Sequence, residues 1–133
     1  MLCWRQLRKG EVMPGVVHFE ISVDDMERAI AFYTEVFNWR IRKQNEEVNY
    51  WLIEGDHAPR QITGALTPRS LPVDSTIITF DVASLDDSAR KITRAGGKVL
   101  RPKDPLPGVG YVQYCEDSEG NLFAILQFDE SAQ

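Results

Sequence analysis

The sequence predicts an α+β domain made of two similar units, each a strand, a helix and three further strands. A length of 133 residues is typical of one domain, and 43 % hydrophobic with 26 % charged residues is typical of a globular chain. A strand-like alternation followed by a helical stripe occurs twice. The second copy is displaced by 59 residues, so that Val82 corresponds to Val23 and Ser84 to Asp25. This spacing is too long for a solenoid and suits a duplicated βαβββ unit.

The first unit opens with a predicted strand at Val16–Val23, where apolar and polar residues alternate. Asp24 and Asp25 are candidate N-caps for the helix that follows. The apolar face of this helix has members at helical spacing: Met26, Ile30, Tyr33 and Phe37. Three shorter strands are predicted at residues 39–43, 49–54 and 61–67.

The second unit repeats this order. A strand is predicted at residues 76–82, followed by a helix with Ser84 at its N-cap and Asp87 at the spacing of a capping box. Gly96 and Gly97 end that helix, as glycine often does. Further strands are predicted at 98–101, 111–115 and 121–127, and a long loop at 102–110.

The domain is predicted to span residues 14–128, divided into modules at 14–68 and 75–128, with a tail at 129–133. Residues 1–13 form an extension ahead of the first predicted strand. We expect residues 1–12 to add nothing to the core, and Met13 is an alternative start of translation.

The charge balance favours a neutral or cationic small molecule over a nucleic acid or a membrane surface. The chain has 15 Lys and Arg residues against 20 Asp and Glu residues, a net charge of −5. No apolar run approaches the ~18 residues of a membrane span, and no secretory signal is evident. Two cysteines, Cys3 and Cys115, are too few for a disulfide framework, so we expect reduced thiols in a cytoplasmic protein.

Three motifs resemble those of a known superfamily. They are HFEISVDD at residues 18–25, AFYTEVFNW at 31–39 and DSEGNLF at 117–123. Together they resemble the vicinal-oxygen-chelate superfamily of glyoxalase I, bleomycin-resistance proteins and extradiol dioxygenases. The segment PGVGY at 107–111 resembles its mostly uncharacterised glyoxalase-related branch. The resemblance covers nearly the whole chain and implies two βαβββ modules whose curved sheets enclose a cleft.

The resemblance also implies where a metal would bind. Enzymes of the superfamily hold a divalent metal with three or four His, Glu or Gln side chains on the first and last strands of each module. By this resemblance His18 occupies one ligand position, whereas Ile77 and Ala124 occupy two others and cannot bind a metal. The fourth position lies within residues 61–67, where Gln61 is the only plausible ligand. Because catalytic sites usually have three protein ligands, we expect no complete metal site and no cofactor. A divalent metal bound through His18 is the alternative.

Strand alternation predicts which side chains face the cleft. His18 and Glu20 alternate with the apolar residues of their strand, and Thr79 and Asp81 do so in the second unit. An ordinary half-buried histidine and solvated carboxylates are the alternatives, and no catalytic residue is assigned. His57 is predicted to lie at the surface.

The strand at residues 111–115 leaves two choices, since its residues alternate between the cleft and the core. Either Tyr111 and Gln113 or Val112 and Tyr114 face the cleft, and we choose the first pair. The candidate ligand-binding residues are therefore His18, Glu20, Thr79, Asp81, Tyr111 and Gln113.

The sequence thus predicts a glyoxalase/bleomycin-resistance-like protein that binds an unidentified small molecule in its cleft without a complete metal site. The alternative is a metal-dependent lyase, isomerase or oxygenase of the same superfamily, similar to lactoylglutathione lyase. We expect a homodimer, because open sheet faces and edges are commonly buried against a twofold partner.

Overall fold

The structure, a computed structural model, describes residues 14–54, 62–69 and 75–133. The first unit contains β1 (Val16–Val23), α1 (Met26–Phe37), β2 (Arg40–Lys43), β3 (Trp51–Glu54) and β4 (Thr63–Pro68). The second contains β5 (Ile77–Asp81), α2 (Leu85–Arg94), β6 (Lys98–Val99), β7 (Asp104–Leu106), β8 (Gly110–Glu116) and β9 (Leu122–Phe128). Neither helix is long and apolar enough to cross a membrane, a finding that covers the described ranges alone.

All the strands of the described ranges belong to one open, mixed sheet. The strand order is β2-β3-β4-β1-β5-β9-β8-β6, and β7 pairs with β8 beside it. The two units meet where β1 and β5 pair in antiparallel fashion, with His18 opposite Thr79 and Glu20 opposite Ile77. With the 59-residue shift, Ile77 corresponds to His18 and Thr79 corresponds to Glu20, so the two pairs are equivalent. A twofold relation between the units requires this equivalence. The α+β prediction with two βαβββ modules is therefore confirmed.

Local capping fixes where each helix begins. Asp25 precedes α1 and its side chain accepts a hydrogen bond from the backbone of Arg28 at 3.0 Å. Ser84 precedes α2 and accepts from the backbone of Asp87 at 3.2 Å. Asn38 ends α1 in the left-handed conformation, with φ of 56°. Caps of this kind depend on short sequence spacings, which is why the sequence predicts them.

Both helices cover the same face of the sheet. On the α2 side, Leu85, Cys115 and Ile125 form a buried cluster. On the α1 side, Trp39 stacks on Tyr33 with ring centroids 4.8 Å apart and lies 6.3 Å from Phe19. One core therefore lies between the helices and this face, and the opposite face of the sheet carries polar side chains beside the fully buried Ala65, Ile77 and Ala124.

The predicted loop at 102–110 contains a strand that the sequence analysis missed. β7 pairs with the start of β8, and a tight turn from Leu106 to Val109 connects them. Pro105 lies within β7 and has no N–H to donate, which is tolerated where a strand lies at a sheet edge. Two prolines and a glycine-rich turn obscured this hairpin. β6 is correspondingly shorter than predicted, ending at Val99.

Candidate functional site

A row of side chains crosses the face of the sheet opposite the helices. Strand pairing places Thr63, His18 and Thr79 side by side, and continues through Ala124 to Tyr114. The neighbouring row contains Ala65, Glu20 and Ile77. Directly paired residues share a face of the sheet. The two rows therefore gather polar groups from both modules around the β1–β5 junction.

Both ring nitrogens of His18 are hydrogen-bonded to hydroxyl groups. Nδ1 lies 2.6 Å from Oγ1 of Thr63, and Nε2 lies 2.7 Å from the hydroxyl of Tyr50. Burial lowers the pKa of His18 from its ordinary value near 6.5. The ring is therefore neutral near pH 7, and one nitrogen donates while the other accepts.

The direction of these bonds follows from the single hydroxyl hydrogen of Thr63. Its hydroxyl contacts the carbonyl oxygen of Val17 at 3.2 Å, and a carbonyl oxygen can only accept. Thr63 therefore donates to Val17 and accepts from Nδ1 of His18. This leaves Nε2 as the acceptor, so the hydroxyl of Tyr50 donates to it. This assignment of hydrogens makes all three contacts hydrogen bonds.

Glu20 is a half-buried carboxylate with little to compensate its charge. The hydroxyl of Tyr114 donates to Oε1 of Glu20 at the long distance of 3.5 Å. Burial raises the pKa of Glu20, and the hydrogen bond from Tyr114 opposes that rise. Glu20 makes no ion pair with any residue in the described ranges. A buried charge without a partner is costly, so this carboxylate has unused capacity to bind a donor.

Two tyrosines flank Glu20 and remain protonated. Burial is the main cause of the raised pKa of Tyr50, and the negative charge of Glu20 adds to it. Burial followed by the charge of Glu20 raises the pKa of Tyr114 to about 12. Tyr50 contacts His18, which lies two residues from Glu20 on β1, and Tyr114 contacts Glu20 itself, so the three groups lie on the same part of this face.

Comparison with known proteins identifies the family. Residues 15–125 match the sequence model of the Glyoxalase/Bleomycin resistance protein/Dioxygenase superfamily, most of the chain. The chain belongs to this superfamily. This confirms the resemblance to vicinal-oxygen-chelate proteins that the sequence motifs indicate.

Relatives in the superfamily are distant. A glyoxylase-like domain-containing protein of Didymella fabae is 28 % identical over 80 % of this chain and 88 % of its own length. A probable lactoylglutathione lyase of Vibrio parahaemolyticus is 24 % identical, with 84 % and 89 % covered. A crystal structure of methylmalonyl-CoA epimerase from Mycobacterium tuberculosis has a TM-score of 0.64 at 15 % identity, with 95 % of each chain covered. That likeness shows a shared fold.

The strand pairing locates the superfamily's fourth metal-ligand position. Glu20 pairs with Ala65 in the parallel β1–β4 ladder, just as Thr79 pairs with Ala124 in the parallel β5–β9 ladder. Ala65 is therefore the counterpart of Ala124 and occupies the fourth ligand position. Gln61, which the sequence analysis named as the plausible ligand, lies outside the described residues. Three of the four positions, Ala65, Ile77 and Ala124, are apolar and fully buried.

The described residues at these four positions do not fit a divalent metal. His18 alone has a coordinating side chain at these positions, and hydroxyl groups already occupy both its nitrogens. No group of three or more His, Cys, Asp or Glu side chains in the described ranges is arranged to hold a metal ion. A catalytic metal usually needs three protein ligands. His57 lies outside the described residues.

The structure brings only part of the predicted set together. His18 and Glu20 lie at the centre of the face, with Thr79 buried beside His18 at 4 % exposure. Asp81 lies at the end of β5, where its carboxylate accepts a hydrogen bond from the backbone of Gly15 at 2.8 Å. Asp81 therefore makes a structural contact with the segment that precedes β1.

The choice made for β8 is corrected. Tyr111 packs against the buried cluster under α2, and Gln113 donates from Nε2 to the carbonyl of Arg101 at 2.9 Å. Both therefore lie on the helix-covered face, and Tyr114 lies on the site face opposite Ala124. The physical reason is that alternate residues of a strand lie on one face, so Tyr111 and Gln113 lie on the same face as Cys115, which belongs to the core. Each alternating pair of this strand contains a tyrosine, which made the sequence ambiguous.

Sequence reasoning also missed Tyr50 and Thr63. Both lie within short strands that the sequence analysis predicted, at 49–54 and 61–67, but no face was assigned to either strand. The available signal was the apolar Trp51 and Ile53 alternating with Tyr50, which identifies Tyr50 as a member of the other face. The partnership with His18 required knowledge of the β1–β4–β3 order.

Proposed function

We propose that this protein binds a small organic molecule on the face that carries His18, Glu20, Tyr50 and Tyr114, without a divalent metal. One observation carries the proposal: both nitrogens of His18 are hydrogen-bonded to hydroxyl groups rather than being available to a metal. Partly buried polar groups that converge from several strands are typical of small-molecule sites.

The other ligand positions support the absence of metal chemistry. Removing bound water from a divalent ion costs free energy, and coordination to protein ligands must compensate for that cost. Ala65, Ile77 and Ala124 have no group able to coordinate. Isomerase chemistry of the glyoxalase type would also need a carboxylate base and a metal to stabilise the enediolate. We therefore do not extend the lyase activity named for the Vibrio parahaemolyticus relative to this chain.

Elemental analysis tests this proposal directly. Protein purified without a chelator or a metal-affinity tag is expected to contain far less than one equivalent of divalent metal. It is also expected to show no hemithioacetal isomerisation when nickel or zinc is added. Near-equimolar metal that is lost in a His18→Ala variant would overturn the proposal and support the metal-dependent alternative. Thermal-shift screening of small molecules, with and without the Glu20→Gln change, then tests binding itself.

We also propose that the protein forms a homodimer. α1 exposes Phe32, Val36 and Phe37, each more than half accessible. Phe37 is exposed although the sequence analysis placed it on the apolar face of the helix, and its ring lies beside Tyr33 and Trp39 at the end of α1. Exposed apolar groups of this size are commonly buried at an interface. Light scattering at micromolar concentration is expected to give about twice the 15.1 kDa mass of the chain. A monomer at that concentration would contradict the proposal.

A reducing, cytoplasmic location is part of the same proposal. Cys115 is a buried free thiol whose pKa is raised by burial to about 11, which makes it unreactive. Cys3 lies outside the described residues. Fractionation of cells producing the protein, with thiol labelling after denaturation, is expected to find it in the cytoplasm with both cysteines reduced.

A further inference from the structure

We propose that the site binds a primary ammonium group of a small organic molecule, held by Glu20 between the hydroxyl oxygens of Tyr50 and Tyr114. This inference rests on the proposed function, because it names the ligand class of the same site. It is carried by the direction of the hydrogen bonds around His18 and by the uncompensated carboxylate of Glu20.

The hydroxyl hydrogen of Tyr50 is already committed. It is donated to Nε2 of His18, whose other nitrogen donates to Thr63. The oxygen of Tyr50 is left with lone pairs and no hydrogen to give. Tyr50 can therefore act toward a ligand only as an acceptor.

The other two groups are acceptors as well. Tyr114 donates its hydroxyl hydrogen to Glu20 at 3.5 Å, so its oxygen also presents lone pairs. In its ionised form the carboxylate of Glu20 has no hydrogen to donate, and it lacks an ion-pair partner in the described part of the chain. Three groups that act as acceptors thus lie on one part of this face, because Tyr50 contacts His18, two residues from Glu20 on β1, and Tyr114 contacts Glu20. A primary ammonium carries three N–H donors and a positive charge.

The neighbouring cation does not fill this position. The guanidinium of Arg101 lies over the ring of Tyr114, 5.9 Å from its centroid, and pairs with Asp104 at 3.9 Å. Arg101 is therefore attached to the side of the tyrosine ring and not to the carboxylate of Glu20. Aromatic rings also attract cations, so Tyr50 and Tyr114 favour an ammonium over an anion.

Nuclear magnetic resonance titration tests the inference with three probes that share a butyl chain. Butylammonium chloride, sodium butyrate and 1-butanol are added separately to the ¹⁵N-labelled full chain. Butylammonium is expected to cause saturable shifts in the amides of β1 and β8, while butyrate causes none at these positions. Glu20→Gln is expected to weaken butylammonium binding by about tenfold or more, since it removes the charge and keeps the shape. Glu27→Gln, an equal loss of charge on exposed α1, is expected to leave the affinity unchanged.

The outcomes separate the ligand class from the proposed function. Saturable binding of butyrate or butanol at this face, with none for butylammonium, would overturn the ammonium inference and leave small-molecule binding intact. Equal weakening by Glu20→Gln and Glu27→Gln would also overturn it, because only the net charge would then matter. Should Glu20→Gln unfold, Tyr114→Phe serves instead, and unchanged butylammonium affinity in that variant would contradict the three-acceptor geometry. Elemental analysis for divalent metal tests the proposed function independently of these titrations.

Discussion

The hydroxyl of Tyr50 lies 2.7 Å from Nε2 of His18, and this bond spans the width of β4, which lies between their strands. It connects the segment that leads into β3 with the strand at the module junction. Because Thr63 of the intervening β4 bonds the other nitrogen, three neighbouring segments hold one imidazole ring. The ring is thus positioned as a structural acceptor and not as a free ligand.

Removing the hydroxyl of Tyr50 tests this relationship. Tyr50→Phe is expected to lower the free energy of unfolding by about 1 kcal/mol, because Nε2 of His18 loses its donor. Chemical denaturation at pH 7.5 measures the change. Tyr33→Phe is the matched control, since the hydroxyl of Tyr33 makes no hydrogen bond with a residue in the described ranges and its ring packs on Trp39. Equal effects of the two substitutions would contradict the proposed bond.

The lowered pKa of His18 makes stability depend on pH in a definite direction. The unfolded chain binds the proton near pH 6.5, and the folded chain binds it only at lower pH. His18 therefore stabilises the fold above pH 6.5, and this contribution is lost as the pH falls through the lowered pKa. The stability difference between wild type and His18→Gln is expected to shrink between pH 7.5 and pH 5.

Glu20 acts in the opposite direction, which is why the comparison uses a variant and not the wild type alone. Its raised pKa means that the folded chain takes up a proton more readily than the unfolded chain, so stability falls as the pH rises through that pKa. Glu20 is present in both proteins, so its contribution cancels in the comparison to a first approximation. A difference that stays constant with pH would contradict the burial of His18.

Much of the fold follows from local sequence pattern. β1 and α1 occur at the predicted residues because strand alternation and the Asp25 cap act over only a few positions. The 59-residue shift also predicted the correspondence of the modules, since duplicated units keep their spacing. β7 was missed because Pro105 and the following glycines disguise an edge strand as a loop.

The site was harder to predict because it depends on pairing between distant strands. His18 and Glu20 follow from alternation within β1. Their partners Tyr50 and Tyr114 lie 32 and 94 residues away along the chain, respectively, and no local pattern connects them. Which residues of β8 face the site depends on which of them pack into the core under α2. Core packing selects Cys115 for that core, which turns Tyr114 toward Glu20.

Deletion of residues 1–12 is expected to leave stability nearly unchanged. The buried residues of the described ranges begin with Ser22 and Val23, and the clustered core lies in the second unit. The Tm of the shortened chain is expected to lie within a few degrees of that of the full chain. A change of 1 kcal/mol in the free energy of unfolding corresponds to roughly 3–5 °C in Tm for a chain of this size. A larger loss would show that these residues stabilise the domain.

Gly110 is expected to be far less replaceable than Gly108, although both lie at the β7–β8 turn. A Cβ at Gly110 would stand 1.9 Å from the carbonyl oxygen of Gln127 in β9, and backbone there cannot easily move. A Cβ at Gly108 would meet nothing within 4 Å, so its cost comes only from the left-handed φ of 75°. We expect Gly108→Ala to lower the free energy of unfolding by about 1 kcal/mol and Gly110→Ala by about 3 kcal/mol or more. Urea denaturation of both variants measures this, and a smaller effect at Gly110 would mean that β8 and β9 are not paired this closely.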